Sequence, residues 1–333
     1  MSHMAREARE APDAVRRFLA RNGDALKDIG ARLRLAPPPV ILTAARGSSD
    51  HAAGYFKYLS EILFGVPCCS MGASVVSVYG ATLAVKGAVC INISQSGKSP
   101  DIVALQEAAR EAGALTIALV NAEDSPVAMS AEIVLPLCAG VEQSVAATKS
   151  FITALAAGAA MAAYWQNGVL LDAVDGLSDV LDQARDVQWP EAVALAKEVE
   201  SLYVLGRGPS LPIAGETALK LKETCAIHAE AYSFAEVMHG PLELVGEEFP
   251  VLAYSPEDAS RATSRKAITQ MKRTGAHVLA VEEGGLQHMS AGHPLLDPIS
   301  MIQTAYGFIE ETARARGRDP DRPLLLKKVT ETT

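Results

Sequence analysis

"RGSSDHAAG" (residues 46–54) and "RGPSLPIAG" (residues 207–215) obey one pattern, Arg-Gly-x-Ser-x-x-x-Ala-Gly, and start 161 residues apart, at Arg46 and Arg207. The same offset of 161 carries Ser94, which ends the apolar run "VCINIS", onto Ser255, which ends "FPVLAYS". A helical stretch and a Gly-Ala step follow each serine, in "EAGALTIALV" and "RTGAHVLAVE". Two matches at one offset, in matching places, point to an internal duplication. Around these landmarks, short β-branched runs ("VILTAA", "AVCINIS", "LTIALVN", "EIVLPLC") alternate with amphipathic helical stretches such as "DIVALQEAAREAG". That alternation predicts an α/β protein with two nested copies, each a parallel sheet flanked by helices on both faces. Residues 1–35 read as one or two helices, broken by "APPP" at 36–39. The first α/β domain is expected over 36–185, the second over 186–320, and a tail over 321–333.

The composition narrows the partners. A net charge of -9 argues against nucleic acid, which would want a basic face. It leaves room for a small anion, because helix dipoles can hold one locally. "AATKSFITALAAGAAMAAYW" (146–165) carries Lys149 and is mostly Ala and Gly, so it reads as a buried helix that packs closely, not as a membrane span. Residues 1–23 are charged and amphipathic, without the apolar core of a secretory signal. The five cysteines (Cys68, Cys69, Cys90, Cys138, Cys225) have no CxxC spacing, and Cys90, Cys138 and Cys225 sit in apolar or helical stretches. Buried free thiols in a reducing cytoplasm are expected. His288 and His293 lack a third ligand nearby, so no metal is expected, nor any other cofactor.

Three stretches carry chemistry. In "ISQSGKSPD" (93–101) a strand ends in Ser94, Gln95, Ser96, Gly97 and Ser99, which is either a polar turn or a cradle for an anion. The second copy has "SPEDAS" there, with Glu257 and Asp258, so one anion site is expected and it lies in the first copy. In "GETALKLKETCAIHAE", Glu216, Lys220 and Glu223 fall at i, i+4 and i+7 on one helix stripe. That stripe is either a solvated ion-paired face or a proton-moving carboxylate with a supporting cation. His239 precedes Gly-Pro in "VMHGPLEL", a setting that also suits an ordinary loop histidine.

"ISQSGKS", "GVEQSVAATKSF" and "ETALKLKETCAIHAEAYSFAEVMHGPLELV" together resemble the sugar-phosphate isomerase (SIS) family. In particular they resemble the isomerase half of glutamine–fructose-6-phosphate aminotransferase and the free-standing glucosamine-6-phosphate deaminases, over residues 40 to 331. The resemblance implies that Ser49, Ser94, Gln95, Ser96 and Ser99 hold the sugar phosphate, with a backbone contact from Val145. Ala147 stands where the aminotransferase has a serine. It implies that Glu223 carries the proton between C1 and C2, that Lys220 supports it, and that His239 opens the sugar ring from the partner subunit of a homodimer. His228 is expected to be a packing or hydrogen-bonding residue. A lysine before Val-Thr, Lys328 or Lys327, closes the site from the tail. About 40 residues precede the first expected strand and hold no cysteine, so glutamine is not expected as the ammonia source. The function these expectations describe is a deaminase turning glucosamine-6-phosphate and water into fructose-6-phosphate and ammonia. Galactosamine-type deamination or isomerisation, fructosamine-phosphate deglycation and non-catalytic sensing are the alternatives.

Overall fold

The computed structural model describes residues 1–326 and 328. It begins with a single helix, α1 (His3–Leu35), where the sequence left one or two open. The chain forms two compact units, and residues 13–142 with 149–175 make one of them. After the later part of α1 this unit contains β1 (Ile41–Ala44), α2 (Ser48–Phe64), β2 (Cys68–Ser70), α3 (Ser74–Ser77), β3 (Val89–Ser94), α4 (Pro100–Glu111), β4 (Leu115–Val120), α5 (Pro126–Ser130), β5 (Ile133–Pro136), α6 (Lys149–Gln166) and α7 (Leu170–Asp175). The sheet is wholly parallel in the order β2-β1-β3-β4-β5. Its inner strands β1, β3 and β4 are near-continuous apolar runs because both faces are covered. β2 was not among the expected strands; three residues at a sheet edge are too short to show a period.

Every residue of α6 from Lys149 to Ala163 is buried, as a helix apolar on all sides should be. Its small residues allow close packing. A Cβ at Gly158 would lie 3.4 Å from Phe56 of α2, and one at Gly30 of α1 would strike the carbonyl of Tyr164.

The other unit takes residues 1–12, 143–148 and 176–328. It contains α8 (Leu177–Ala184), α9 (Pro190–Ala196), β6 (Ser201–Gly206), α10 (Ser210–Lys220), β7 (His228–Ser233), β8 (Pro250–Tyr254), α11 (Arg261–Arg273), β9 (His277–Val281) and α12 (Asp297–Ala315). Its sheet is again parallel, in the order β7-β6-β8-β9. Moving 161 positions along the chain takes β1, β2, β3 and β4 onto β6, β7, β8 and β9, to within two residues at the ends. The two sheets therefore share one strand order, and the second lacks only the counterpart of β5.

Residues 3–12 of α1 belong to this unit, and Pro12 sits inside the helix. Proline has no N–H to offer the carbonyl of Ala8, four residues back. Gln303 of α12 supplies the missing donor, its Nε2 lying 2.9 Å from Ala8 O. Arg185 Nη1 donates to the next carbonyl, Arg9 O, at 3.1 Å. The start of α1 is capped from far along the chain: the amides of His3 and Met4 donate to the Asp321 carboxylate at 2.6 and 2.8 Å.

These contacts make two glycines of α1 opposite in character. Gly30→Ala should lower unfolding stability by about 1–3 kcal/mol, because its new methyl meets backbone that cannot yield. Gly23→Ala meets nothing within 4 Å and should raise stability by about 0.5–1 kcal/mol. Denaturant midpoints at constant slope check both signs.

Candidate active site

An open parallel sheet binds ligands outside the carboxyl ends of its strands, where the strand order reverses. In the first unit that point lies between β1 and β3, which pair in parallel with Ala44 opposite Asn92. "RGSS" leaves β1 there and "SQSGKS" leaves β3, so Ser49, Ser94, Gln95, Ser96 and Ser99 come out on one edge of one sheet. Ser94 Oγ accepts the Gly97 amide at 2.9 Å and closes the turn. Gly97 has φ +62°, a left-handed conformation, and a Cβ on it would collide with Ser125 Oγ. Ser99 is the N-cap of α4 yet makes no side-chain cap bond, and Pro100 follows at the first helical position. Ser49, Gln95, Ser96 and Ser99 are all half-buried. Among the described residues none of their side chains is spent on an intrachain hydrogen bond, which leaves them for a ligand or water.

One charge pair escaped the sequence reading. Asp101, on the first turn of α4, is 2% exposed and would repel an anion, but Arg46 of "RGSS" is ion-paired to it. The arginine of the repeated motif therefore neutralises a buried carboxylate beside the serine turn.

The reversal point of the second sheet, between β6 and β8, is built differently. Ser255 is buried, and the acidic turn after it is closed on itself. Asp258 Oδ1 accepts Ser260 N at 2.8 Å and Ser260 Oγ at 2.6 Å, while Glu257 is ion-paired with Arg261. The acids that set this copy apart in the sequence are thus engaged with neighbouring groups of their own loop.

In that unit α10 ends in a π turn over Leu221–Cys225 and then Ala226, a non-glycine residue at φ +52°. Single π turns recur at functional sites, and the positive φ is a second local strain. Glu216 and Lys220 are 0% and 1% exposed, whereas Glu223 keeps 22% of its side chain open. Lys220 Nζ donates to Glu223 Oε2 and lies 3.6 Å from Glu216 Oε1. A solvated ion-paired face is therefore excluded for Glu216 and Lys220: the stripe is there, but it is buried. The hydroxyl of Tyr306 on α12, itself fully buried, donates to Glu216 Oε1 at 3.0 Å. Nothing in the local sequence signals that contact, which comes from ninety residues further along the chain.

Two other features hold this helix end. Arg316 Nε donates to Cys225 O at 3.1 Å, and its Nη1 donates to Lys197 O and Val199 O at 2.9 Å each. A cation on the last carbonyls opposes the negative end of the helix dipole. Beyond the turn, Glu223 lines a cavity of about 750 Å³ with Arg318, Arg322 and Leu324–Leu326.

The remaining nominated residues are more dispersed. Val145 is half-buried in segment 143–148 of the same unit. Glu7 of α1 accepts the amides of Gln143 and Ser144 there, the second at 3.1 Å. Lys328 Nζ donates to Ser144 O at 2.6 Å, next to Val145, and Lys327 lies outside the described residues. His239 is exposed, on a 3-10 turn over Val237–His239 after β7. His228, expected to pack or bond through its ring, is instead exposed at the start of β7, and only its backbone is bonded, to Glu200 O at 2.9 Å. Among the described residues no group of three His, Cys, Asp or Glu side chains is disposed to hold a metal ion, and no helix is long and apolar enough to cross a membrane.

Comparison with known proteins places this geometry in context. The SIS domain family model matches residues 35–164 and 195–290. Glutamine–fructose-6-phosphate aminotransferase [isomerizing] of Halobacterium salinarum is 30% identical over 98% of this chain, and that of Bradyrhizobium diazoefficiens is 33% identical over 98%. The chain spans 58% of the length of each. A solved structure from Silicibacter pomeroyi, named provisionally as a phosphosugar isomerase, is 43% identical with a TM-score of 0.93, covering 96% of this chain and all of that one. The C-terminal domain of glucosamine-fructose-6-phosphate aminotransferase from Francisella tularensis is 26% identical with a TM-score of 0.84, covering 97% of this chain and 98% of its own. Glucosamine-6-phosphate deaminase from Thermotoga maritima shares the fold at 20% identity and a TM-score of 0.79, covering 99% of this chain and 100% of that one.

The thiols report on the integrity of the π turn. Burial pushes Cys68 and Cys90 up to about 12 and Cys225 up to about 11, so all three stay protonated at neutral pH. Cys69 is exposed, and Cys138 is half-buried rather than buried. An alkylating reagent at pH 8 should label Cys69 first in the native protein and reach Cys225 only on unfolding. Labelling of Cys225 at the rate of Cys69, read by mass spectrometry, would show that the π turn opens in the native state.

Proposed function

The chain belongs to the SIS domain family, and from that membership we propose that it is an aldose–ketose isomerising deaminase of amino-sugar phosphates, turning glucosamine-6-phosphate and water into fructose-6-phosphate and ammonia. The observation that carries the reading is the Lys220 ammonium hydrogen-bonded to Glu223, the one carboxylate of the buried set that opens on a cavity. A proton shuttle needs a base that reaches the substrate and a cation that offsets the charge of an enol-type intermediate. Glu223 removes the C2 proton and returns it to C1. The C2 iminium then takes up water and releases ammonia, so no outside oxidant or reductant enters. The serine turn 94–99 with Ser49 takes the phosphoryl group through hydroxyls, an amide side chain and the α4 N-terminus. Val145 offers its backbone to the sugar, and Lys328 secures the tail to the neighbouring carbonyl. His239 opens the ring; its exposure supports service to the site of a second copy in a homodimer.

A second reading, deglycation of a fructosamine phosphate, is favoured by one feature. A cavity of about 750 Å³ with four leucines and two arginines leaves room for a substituent on the departing nitrogen. Ammonia released from glucosamine-6-phosphate supports the first reading, and a larger amine released from an N-substituted sugar phosphate supports the second.

Glu223→Gln should keep the fold and sugar-phosphate affinity while lowering kcat by about 10²–10⁴-fold, the usual worth of a general base. Ser96→Ala removes a donor to a charged group, worth about 1.5–3 kcal/mol, and should raise KM tenfold or more. Ser255→Ala should leave KM unchanged. Steady-state kinetics with an ammonia assay separates these outcomes, and equal damage from both serine variants would refute the single phosphate site.

For the homodimer, Glu223→Gln and His239→Ala chains should recover part of the activity when mixed and reassembled. Verified heterodimers without activity would put His239 in the site of its own subunit.

A further inference from the structure

The proposed proton carrier shares its cation with a second carboxylate. Lys220 stands between Glu216 and Glu223, and these two differ in their surroundings. Glu216 is sealed from solvent and takes the Tyr306 hydroxyl at 3.0 Å, while Glu223 is partly open. Two carboxylates competing for one ammonium divide its charge according to what else supports each of them. A phenol donating to Glu216 supports that carboxylate independently of the lysine. Lys220 is then left to hydrogen-bond with Glu223, as it does, and stands further from Glu216 at 3.6 Å.

We infer that Tyr306 is a positioning residue for proton transfer: by bonding Glu216 it releases the Lys220 ammonium to Glu223. The inference rests on the reading of Glu223 as the proton carrier. The other charged groups that face Glu223 lie on the π turn and on the segment after α12. Lys222 donates to Ala229 O at 3.1 Å, and Arg318, Asp319 and Arg322 line the same cavity. Changes at Tyr306 or Glu216 leave all four in place.

The sign can be worked out for two variants. In Tyr306→Phe the sealed Glu216 carboxylate loses its hydroxyl donor and draws Lys220 toward itself. Glu223 then loses cationic support, and the acid limb of kcat/KM moves to higher pH. In Glu216→Gln the competing charge is gone and the Lys220 ammonium is drawn further to Glu223. The acid limb of kcat/KM then moves to lower pH. A tyrosine that only packed would move neither.

The test pairs pH–rate profiles for glucosamine-6-phosphate with ¹³C NMR titration of the Glu223 carboxyl in the full-length protein, assigned through Glu223→Gln. The titration reads Glu223 whatever the turnover, and Glu216→Gln serves if Tyr306→Phe folds poorly. Opposite shifts in the two variants are the expected result. Unmoved titrations in both, with Glu223→Gln inactive, would overturn the role of Tyr306 and leave the proton carrier standing. Wild-type turnover in Glu223→Gln would overturn the underlying reading as well.

Discussion

A lysine ammonium sealed inside α/β packing is tolerable only if carboxylates meet it, and Lys220 meets two. Much of its unit can be read as the support of that arrangement. Glu216 lies one turn before Lys220 on α10, and the π turn then brings Glu223, partly open, against the same ammonium. Tyr306 reaches in from α12, and Arg316 ties the carbonyl of Cys225 to the segment before β6. Replacing such an ion set with apolar side chains is often neutral or stabilising in other proteins, so stability alone does not account for its presence.

Two sheets of the same strand order have come to opposite uses of the same geometric opportunity. The first keeps small hydroxylic side chains at its reversal point and neutralises the nearby carboxylate with the arginine of its own motif. The second fills the equivalent turn with acids and spends them on its own backbone and on Arg261. An anion arriving there would displace bonds already made and meet two negative charges. The buried charge set of that unit lies instead at the far end of α10, the helix that follows β6.

The sheet architecture, the duplication and the buried Ala-rich helix were legible because they rest on spacing and composition, which are local properties. The serine turn was legible as polar, but only the family resemblance separated a cradle from an ordinary turn. For Glu216, Lys220 and Glu223 the helical spacing was visible and their burial was not, since i, i+4, i+7 charges look the same on a wet face. Tyr306, Arg46 and Glu7 were missed for one reason: each acts through a partner remote in sequence, Arg46 across fifty-five residues from Asp101. The environments of His228 and Cys138 failed for the reverse reason. Motif context suggested an interior that the strand start at 228 and the loop after β5 do not provide.

The capping of α1 by Asp321 has a consequence for how the chain is made. The amide of His3 waits for an acceptor 318 residues away, and Ala8 waits for Gln303. A ribosome delivers all of residues 13–142 and 149–175 before α12 has been synthesised, so that unit can close on itself early. Its companion cannot, because its first strip of helix is the oldest part of the chain and its central helix nearly the newest. Closing so long a loop costs little extra free energy but considerable time. Over that interval the carbonyls of Ala8 and Arg9 have only water to bond, and the apolar side of residues 3–12 stays uncovered. Of the two units, the one bearing Lys220 and its two carboxylates is therefore the last to form and the more exposed to misassembly before it does.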